Sequence, residues 1–163
     1  MDSSKASYII MEKSPTLFII CGLPGSGKTT YAKQIERKEN ALRLCPDEWM
    51  SRLTVDGFDE SKRSEVESIM QEIAERCLYL GINVILEFGF WAKEERDQMR
   101  ALAKRAHAKT KLCYQEVSRK ELLKRLKKRN IEKPEHTFVV NKNQLDSWIS
   151  LFQAPTKKEL ELW

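Results

Sequence analysis

No stretch of the 163 residues is long and apolar enough to cross a membrane. The longest apolar runs, Leu17–Cys21 and Val84–Leu86, are strand-sized, against the roughly 20 residues a spanning helix needs. No secretory leader is expected, because the apolar patch Tyr8–Met11 is too short for its hydrophobic region. A cytoplasmic protein is expected. The cysteines, Cys21, Cys45, Cys77 and Cys113, show no C-x-x-C spacing and no nearby histidine cluster, which argues against a zinc site. Three of them sit in or beside apolar runs and read as buried reduced thiols. Internal repeats and low-complexity linkers are also missing. What is present, 41% hydrophobic and 33% charged residues, describes an ordinary soluble globular domain. The length suits one domain, and a formal charge of +5 favours anionic ligands without selecting nucleic acid over nucleotides.

Residues 1–14 are small and polar and read as a mobile extension, leaving 15–163 as the domain. From Pro15 onward apolar runs alternate with helical patterns. Leu17–Cys21 is expected to be a central parallel strand, buried on both faces. Ala41–Cys45, Ile82–Leu86 and Lys111–Val117 read as further strands. Helices are expected over Lys28–Lys38, Ser61–Leu80, Lys93–His107, Arg119–Arg129 and Lys142–Phe152, with Asn130–Thr137 a loop. Such alternation implies an α/β fold with a central parallel sheet and helices on both faces, joined by right-handed crossovers. Ligands then bind beyond the carboxyl ends of the strands, just after Cys21, Cys45, Leu86 and Val117.

The first of those places holds a complete Walker A pattern, Gly22-Leu23-Pro24-Gly25-Ser26-Gly27-Lys28-Thr29, followed by Thr30. Gly22, Gly25 and Gly27 let backbone amides approach phosphate oxygens with no Cβ in the way. The helix opening near Lys28 aims its amide dipoles at the anion. Lys28 places a charge on the β- and γ-phosphates of ATP, and the Thr29 hydroxyl is suited to ligate Mg²⁺.

Three features together resemble the small P-loop kinases of the AAA_33-like group, which includes polynucleotide kinase, chloramphenicol phosphotransferase and zeta toxins. They are the loop Gly-Leu-Pro-Gly-Ser-Gly-Lys-Thr-Thr, the acidic pair Asp47-Glu48 after the second strand, and the basic helix Arg119–Arg129 before a lid. The resemblance spans about Leu17 to Glu159 and implies the three-layer P-loop NTPase fold. It also implies that Asp47 is the general base for an acceptor hydroxyl. Polynucleotide kinases place an arginine three residues after that aspartate, and here the position is Met50, which argues against a nucleic-acid acceptor. Phe152-x-x-Pro155 is similar to a segment near the adenine in this group.

Position supports Asp47 independently, since it lies just past a strand end on the rim where the γ-phosphate points. The alternative is a helix cap, with Pro46-Asp47-Glu48 starting a short helix through Arg52. Glu87 ends its strand and is the Walker B candidate, oriented toward magnesium-bound water, with a structural ion pair as the alternative. Arg125 and Arg129 share one side of an amphipathic helix, and the resemblance gives them a clamp role on the transferring phosphoryl group. The lysines around them read as a solvated face. Phe88, Phe90, Trp91 and Trp49 are candidate walls of an acceptor pocket, or ordinary packing. His107 and His136 read as surface residues without partners. The expected activity is transfer of the γ-phosphoryl of ATP to a hydroxyl of a small-molecule or nucleotide-like acceptor. The alternative is a nucleotide-binding ATPase or switch module acting on a protein partner. The residues leave the acceptor and the oligomeric state open.

Overall fold

A computed structural model of the chain describes residues 14–54 and 56–163, so the expected extension, except Ser14, lies outside the described residues. Four apolar runs form strands β1 (Thr16–Cys21), β2 (Leu42–Leu44), β3 (Val84–Gly89) and β4 (Lys109–Tyr114). They make one parallel sheet in the order β2-β3-β1-β4. The helices are α1 (Lys28–Glu39), α2 (Pro46–Leu53), α3 (Glu60–Tyr79), α4 (Lys93–Arg105), α5 (Arg119–Glu132), α6 (Lys142–Leu151) and α7 (Lys157–Glu161).

The two-residue period of a strand divides β1 between two cores. Leu17, Ile19 and Cys21 pack with Val66, Met70, Ala74 and Leu78 of α3 and with Met99 and Leu102 of α4. Phe18 and Ile20 pack on the other face with Ala32 and Ile35 of α1. Covering both faces buries Leu17–Cys21, which is why this run is continuously apolar. The result is the expected three-layer arrangement. A third cluster, with Leu122 and Leu126 of α5 and Leu145 of α6, seats the basic helix beside Leu23 of the phosphate loop.

Several boundaries differ from the sequence expectation for identifiable reasons. β3 starts at Val84 because Ile82 and Asn83 serve the turn: the Ile82 amide donates to the Cys77 carbonyl at 2.9 Å, and the Asn83 side chain bridges Thr16 and Glu39. β3 also runs on to Gly89, through a register shift that puts an extra residue opposite β1 between Ile19 and Cys21. β4 ends at Tyr114, level with Cys21, where its partner β1 stops. α5 continues past Arg129 to Glu132, and Lys133 closes it in the left-handed conformation. α7 was not anticipated; Thr156 caps it after the Pro155 break.

Candidate active site

The phosphate loop is a turn between β1 and α1 that other elements hold from outside. The Gly22 amide donates to the Gly89 carbonyl at 3.0 Å, tying the loop to the end of β3. At Gly22 a Cβ would lie 2.7 Å from the Ser26 hydroxyl, and Gly25, at φ +83°, would press one onto Leu126. Gly27 enters α1 at φ +94°, a conformation that favours glycine. Lys28 folds back so that Nζ donates to the Leu23 carbonyl at 3.0 Å. Withdrawal from solvent lowers its pKa, while Asp47 and Glu87 pull the other way. The buried Ser26 hydroxyl has no partner among the described residues. Pro24, Gly25, Gly27, Lys28, Thr29 and Thr30 line a cavity of about 900 Å³; Gly22, Leu23 and Ser26 shape the loop from behind.

Glu87 lies inside β3 rather than at its end, within the register shift, and bulges of this kind re-aim side chains beside functional sites. The Thr29 hydroxyl donates to Glu87 Oε1. The Walker A hydroxyl and the candidate Walker B carboxylate therefore meet. Both groups are hard oxygen donors suited to Mg²⁺ and its water shell. Glu87 also accepts from Arg43 Nη1 at 2.8 Å, so the ion-pair reading of this residue is realised as well. Arg43 further engages Glu36 and Glu48. Burial would lower its pKa, but Glu48 and Glu87 outweigh this and hold it above the ordinary value. Arg43 was missed in the sequence; the available signal was a lone charge between Leu42 and Leu44.

Asp47 lines the same cavity as Lys28, Thr29 and Glu87. It is not the cap of α2: Cys45 occupies that position, Pro46 opens the helix, and no side chain caps it. Its Oδ1 instead accepts from Arg63 Nη2 at 2.6 Å. Met50 is fully buried, so a guanidinium reaches Asp47 from α3 and not from the position three residues on. Arg63 also contacts the Gly57 carbonyl at 3.4 Å and approaches Glu67 at 3.7 Å. Burial pushes the Glu67 pKa up to about 7, opposed by Arg63 and reinforced by Glu95 and Asp47. Arg63 and Glu67 both line the cavity and were missed in the sequence, where they look like surface charges of a long helix.

Arg125 and Arg129 line the cavity while Lys127 and Lys128 do not. Arg125 Nη1 lies 3.5 Å from the Ser26 carbonyl, and Arg129 Nη2 donates to the Phe138 carbonyl at 3.1 Å. Burial lowers the Arg129 pKa and Asp47 counteracts it. Phe88, Phe90 and Trp91 line the cavity, joined by Phe58, Phe138 and Trp148 from other segments. Trp49 packs instead against the core. Phe152 stacks near Tyr114, with ring centroids 6.0 Å apart, and neither it nor Pro155 lines the cavity. His136 does have a partner, since its Nδ1 hydrogen-bonds with the Ser51 hydroxyl at 2.7 Å. The buried thiols of Cys21 and Cys45 are pushed up to about 12, as inert core cysteines should be. Among the described residues no cluster of three His, Cys, Asp or Glu forms a metal cage, and no helix is long and apolar enough to cross a membrane.

The model of the AAA_33 family, an AAA domain, matches residues 17–155. The chain belongs to that family. Solved structures similar to this AAA_33 chain share its fold. One belongs to the Pnkp1/Rnl/Hen1 RNA repair complex, at TM-score 0.70 and 21% identity, covering 88% of this chain but 45% of that one. Another is Kti12 of Chaetomium thermophilum in complex with ADP-AlF3, at TM-score 0.66 and 19% identity, covering 87% of this chain and 82% of that one. A third is the APS kinase CysC of Mycobacterium tuberculosis in complex with AMPPNP and APS. Its TM-score is 0.59 at 24% identity, with 74% of this AAA_33 chain and 73% of that chain covered. No curated protein matches the sequence.

Proposed function

We propose that this AAA_33 protein is an ATP-dependent kinase that moves the γ-phosphoryl of ATP to a hydroxyl of a small-molecule or nucleotide-like acceptor. The observation that carries the reading is one cavity lined by Lys28, Thr29, Glu87 and Asp47 together. The loop amides and Lys28 hold the triphosphate. Thr29 would hold Mg²⁺ with Glu87 behind it, and the bound ion supplies positive charge to the β- and γ-phosphate oxygens. Asp47 takes the proton of the attacking hydroxyl, held by Arg63 through Oδ1 and accepting the proton on its other oxygen. Arg125 and Arg129 sit where charge builds on the transferring group. The reading places the protein in the cytoplasm, where ATP is available.

A second reading, an ATPase or switch module for a protein partner, draws on the Thr29–Glu87 contact, because a carboxylate there can orient an attacking water. An acceptor screen with ATP, read by mass spectrometry for a product heavier by one phosphoryl group, tests the kinase. The expected result is a product with the parent and none with Lys28→Ala. ATP hydrolysis with no phosphorylated product across the screen would favour the second reading.

A further inference from the structure

Arg96 of α4 is a buried cation outside the cavity. It is 1% exposed, the bulkiest fully buried side chain among the described residues. Its guanidinium divides its donors between two tasks. Nε and Nη2 donate to the two carboxylate oxygens of Glu159 in α7, at 2.6 and 3.0 Å. Nη1 turns the other way, donating to the Phe90 carbonyl at 3.0 Å and approaching the Trp91 carbonyl at 3.4 Å. Anchoring α7 does not need ions, because an apolar pair of similar volume often packs as stably as a buried ion pair. What an apolar pair cannot supply is the Nη1 donor. Phe90 holds φ +47°, a left-handed conformation that bulky residues avoid unless their surroundings impose it. The other donor to its carbonyl among the described residues is the Cys21 thiol, weak and 3.3 Å away. The Trp91 carbonyl, by contrast, also accepts from the Gln153 amide at 2.9 Å.

The Phe90 turn joins two parts of the site. Before it, the Gly89 carbonyl accepts from the Gly22 amide of the phosphate loop at 3.0 Å. After it, Trp91 folds back over Gly89, where a Cβ would lie 3.1 Å from the indole nitrogen. The Trp91 ring then packs on Trp148 with centroids 5.6 Å apart, and both rings line the cavity. We infer that Arg96, aimed by Glu159, is a positioning residue for this site. Its Nη1 locks the Phe90 turn, which sets Trp91 in the cavity wall and keeps Gly89 against the phosphate loop. Through Glu159 the wall depends on α7, a helix that lines no part of the cavity. The assignment goes beyond the kinase reading and holds equally for a site that hydrolyses ATP.

Two variants separate positioning from anchoring. Arg96→Met/Glu159→Met exchanges the pair for apolar side chains and is expected to melt within about 4 °C of the parent or above it. Three readouts should nevertheless move in that stable protein. The Trp91 indole N–H resonance, assigned with Trp91→Phe, shifts. The Gly22 amide exchanges faster with solvent, and Mg-AMPPNP binds about fivefold more weakly by calorimetry, the worth of one ordinary hydrogen bond. Glu159→Gln keeps an acceptor for Nε and leaves Nη1 on the Phe90 carbonyl. It should melt lower than the parent, yet below its transition keep the parent's indole resonance and an affinity within about twofold. An indole resonance or an affinity equal to the parent's in the stable double variant overturns the inference. Losses in Glu159→Gln equal to those of the double variant also overturn it, because they assign the effect to the charge pair and not to the Nη1 donor. A double variant that fails to fold overturns it too, since the pair would then support the core and not the turn. The nucleotide reading fails separately: a parent that binds no Mg-AMPPNP removes that reading, while the indole and Gly22 readouts still decide the role of Arg96.

Discussion

Arg43→Leu should destabilise the protein far more than its position in a short edge strand suggests. Its side chain is 8% exposed and holds Glu87, which is 3% exposed, at 2.8 Å. The other partners, Glu36 and Glu48, are 40% and 32% exposed, so water can replace the lost guanidinium there. The penalty therefore concentrates on Glu87. Removing one partner of a buried pair costs roughly 3–5 kcal/mol, and the Thr29 hydroxyl that remains on Glu87 argues for the lower end, about 3 kcal/mol. At about 2–4 °C per kcal/mol for a domain of this size, the melting temperature should fall by about 6–12 °C. Mg-ATP should restore more of it in the variant than in the parent, because a divalent cation replaces part of the missing countercharge. The double variant Arg43→Leu/Glu87→Leu should melt higher than Arg43→Leu alone, since it leaves no buried charge unpaired. Calorimetry of the three proteins decides the matter. A fall under about 2 °C for Arg43→Leu, or single effects that simply add in the double variant, would refute the reasoning.

Two further outcomes follow from the site. Arg125→Ala and Arg129→Ala should lower kcat more than they weaken ATP binding, with Lys127→Ala and Lys128→Ala close to silent; equal, salt-dependent losses from all four would indicate a diffuse patch. Glu67, at about 7 folded against 4.5 as the ordinary value, contributes stability that is fully present below about pH 4.5 and lost as pH rises through about 7. Glu67→Gln should therefore gain on the parent in melting temperature between pH 5 and pH 8, and a constant difference across that range would contradict the assignment.

The phosphate loop and the three layers were legible because both are local. The loop demands glycine at fixed offsets, and a strand buried on both faces must be continuously apolar. Thr29 and Glu87 could be paired in advance by the rule that chemistry gathers at strand ends. The missed residues are Arg43, a lone charge between Leu42 and Leu44, and Arg63 and Glu67, charges in a helix whose exposed face is also charged. Only the packing of α3 across β3 and α2 shows that Arg63 and Glu67 turn inward while Lys62 and Glu65 remain in solvent. The cap alternative for Asp47 missed by two residues of phase, since Cys45 rather than Asp47 holds the capping position of α2. Trp49 was a candidate wall on adjacency to Asp47, with ordinary packing as the alternative, and Phe152 entered on resemblance; neither signal says which face of the chain turns toward the core.

The central claim, a kinase with Asp47 as its base, is most directly tested by Asp47→Asn. The substitution keeps the side-chain size and removes only the basic oxygen, and a general base contributes roughly 10²–10⁴-fold to rate and little to nucleotide affinity. One variant needs two assays: Mg-ATP affinity by calorimetry, and turnover with and without an acceptor from the screen. The account predicts unchanged affinity with transfer reduced about 10²-fold or more. Transfer that survives at the parent's rate would contradict it and leave Glu87 as the carboxylate to examine.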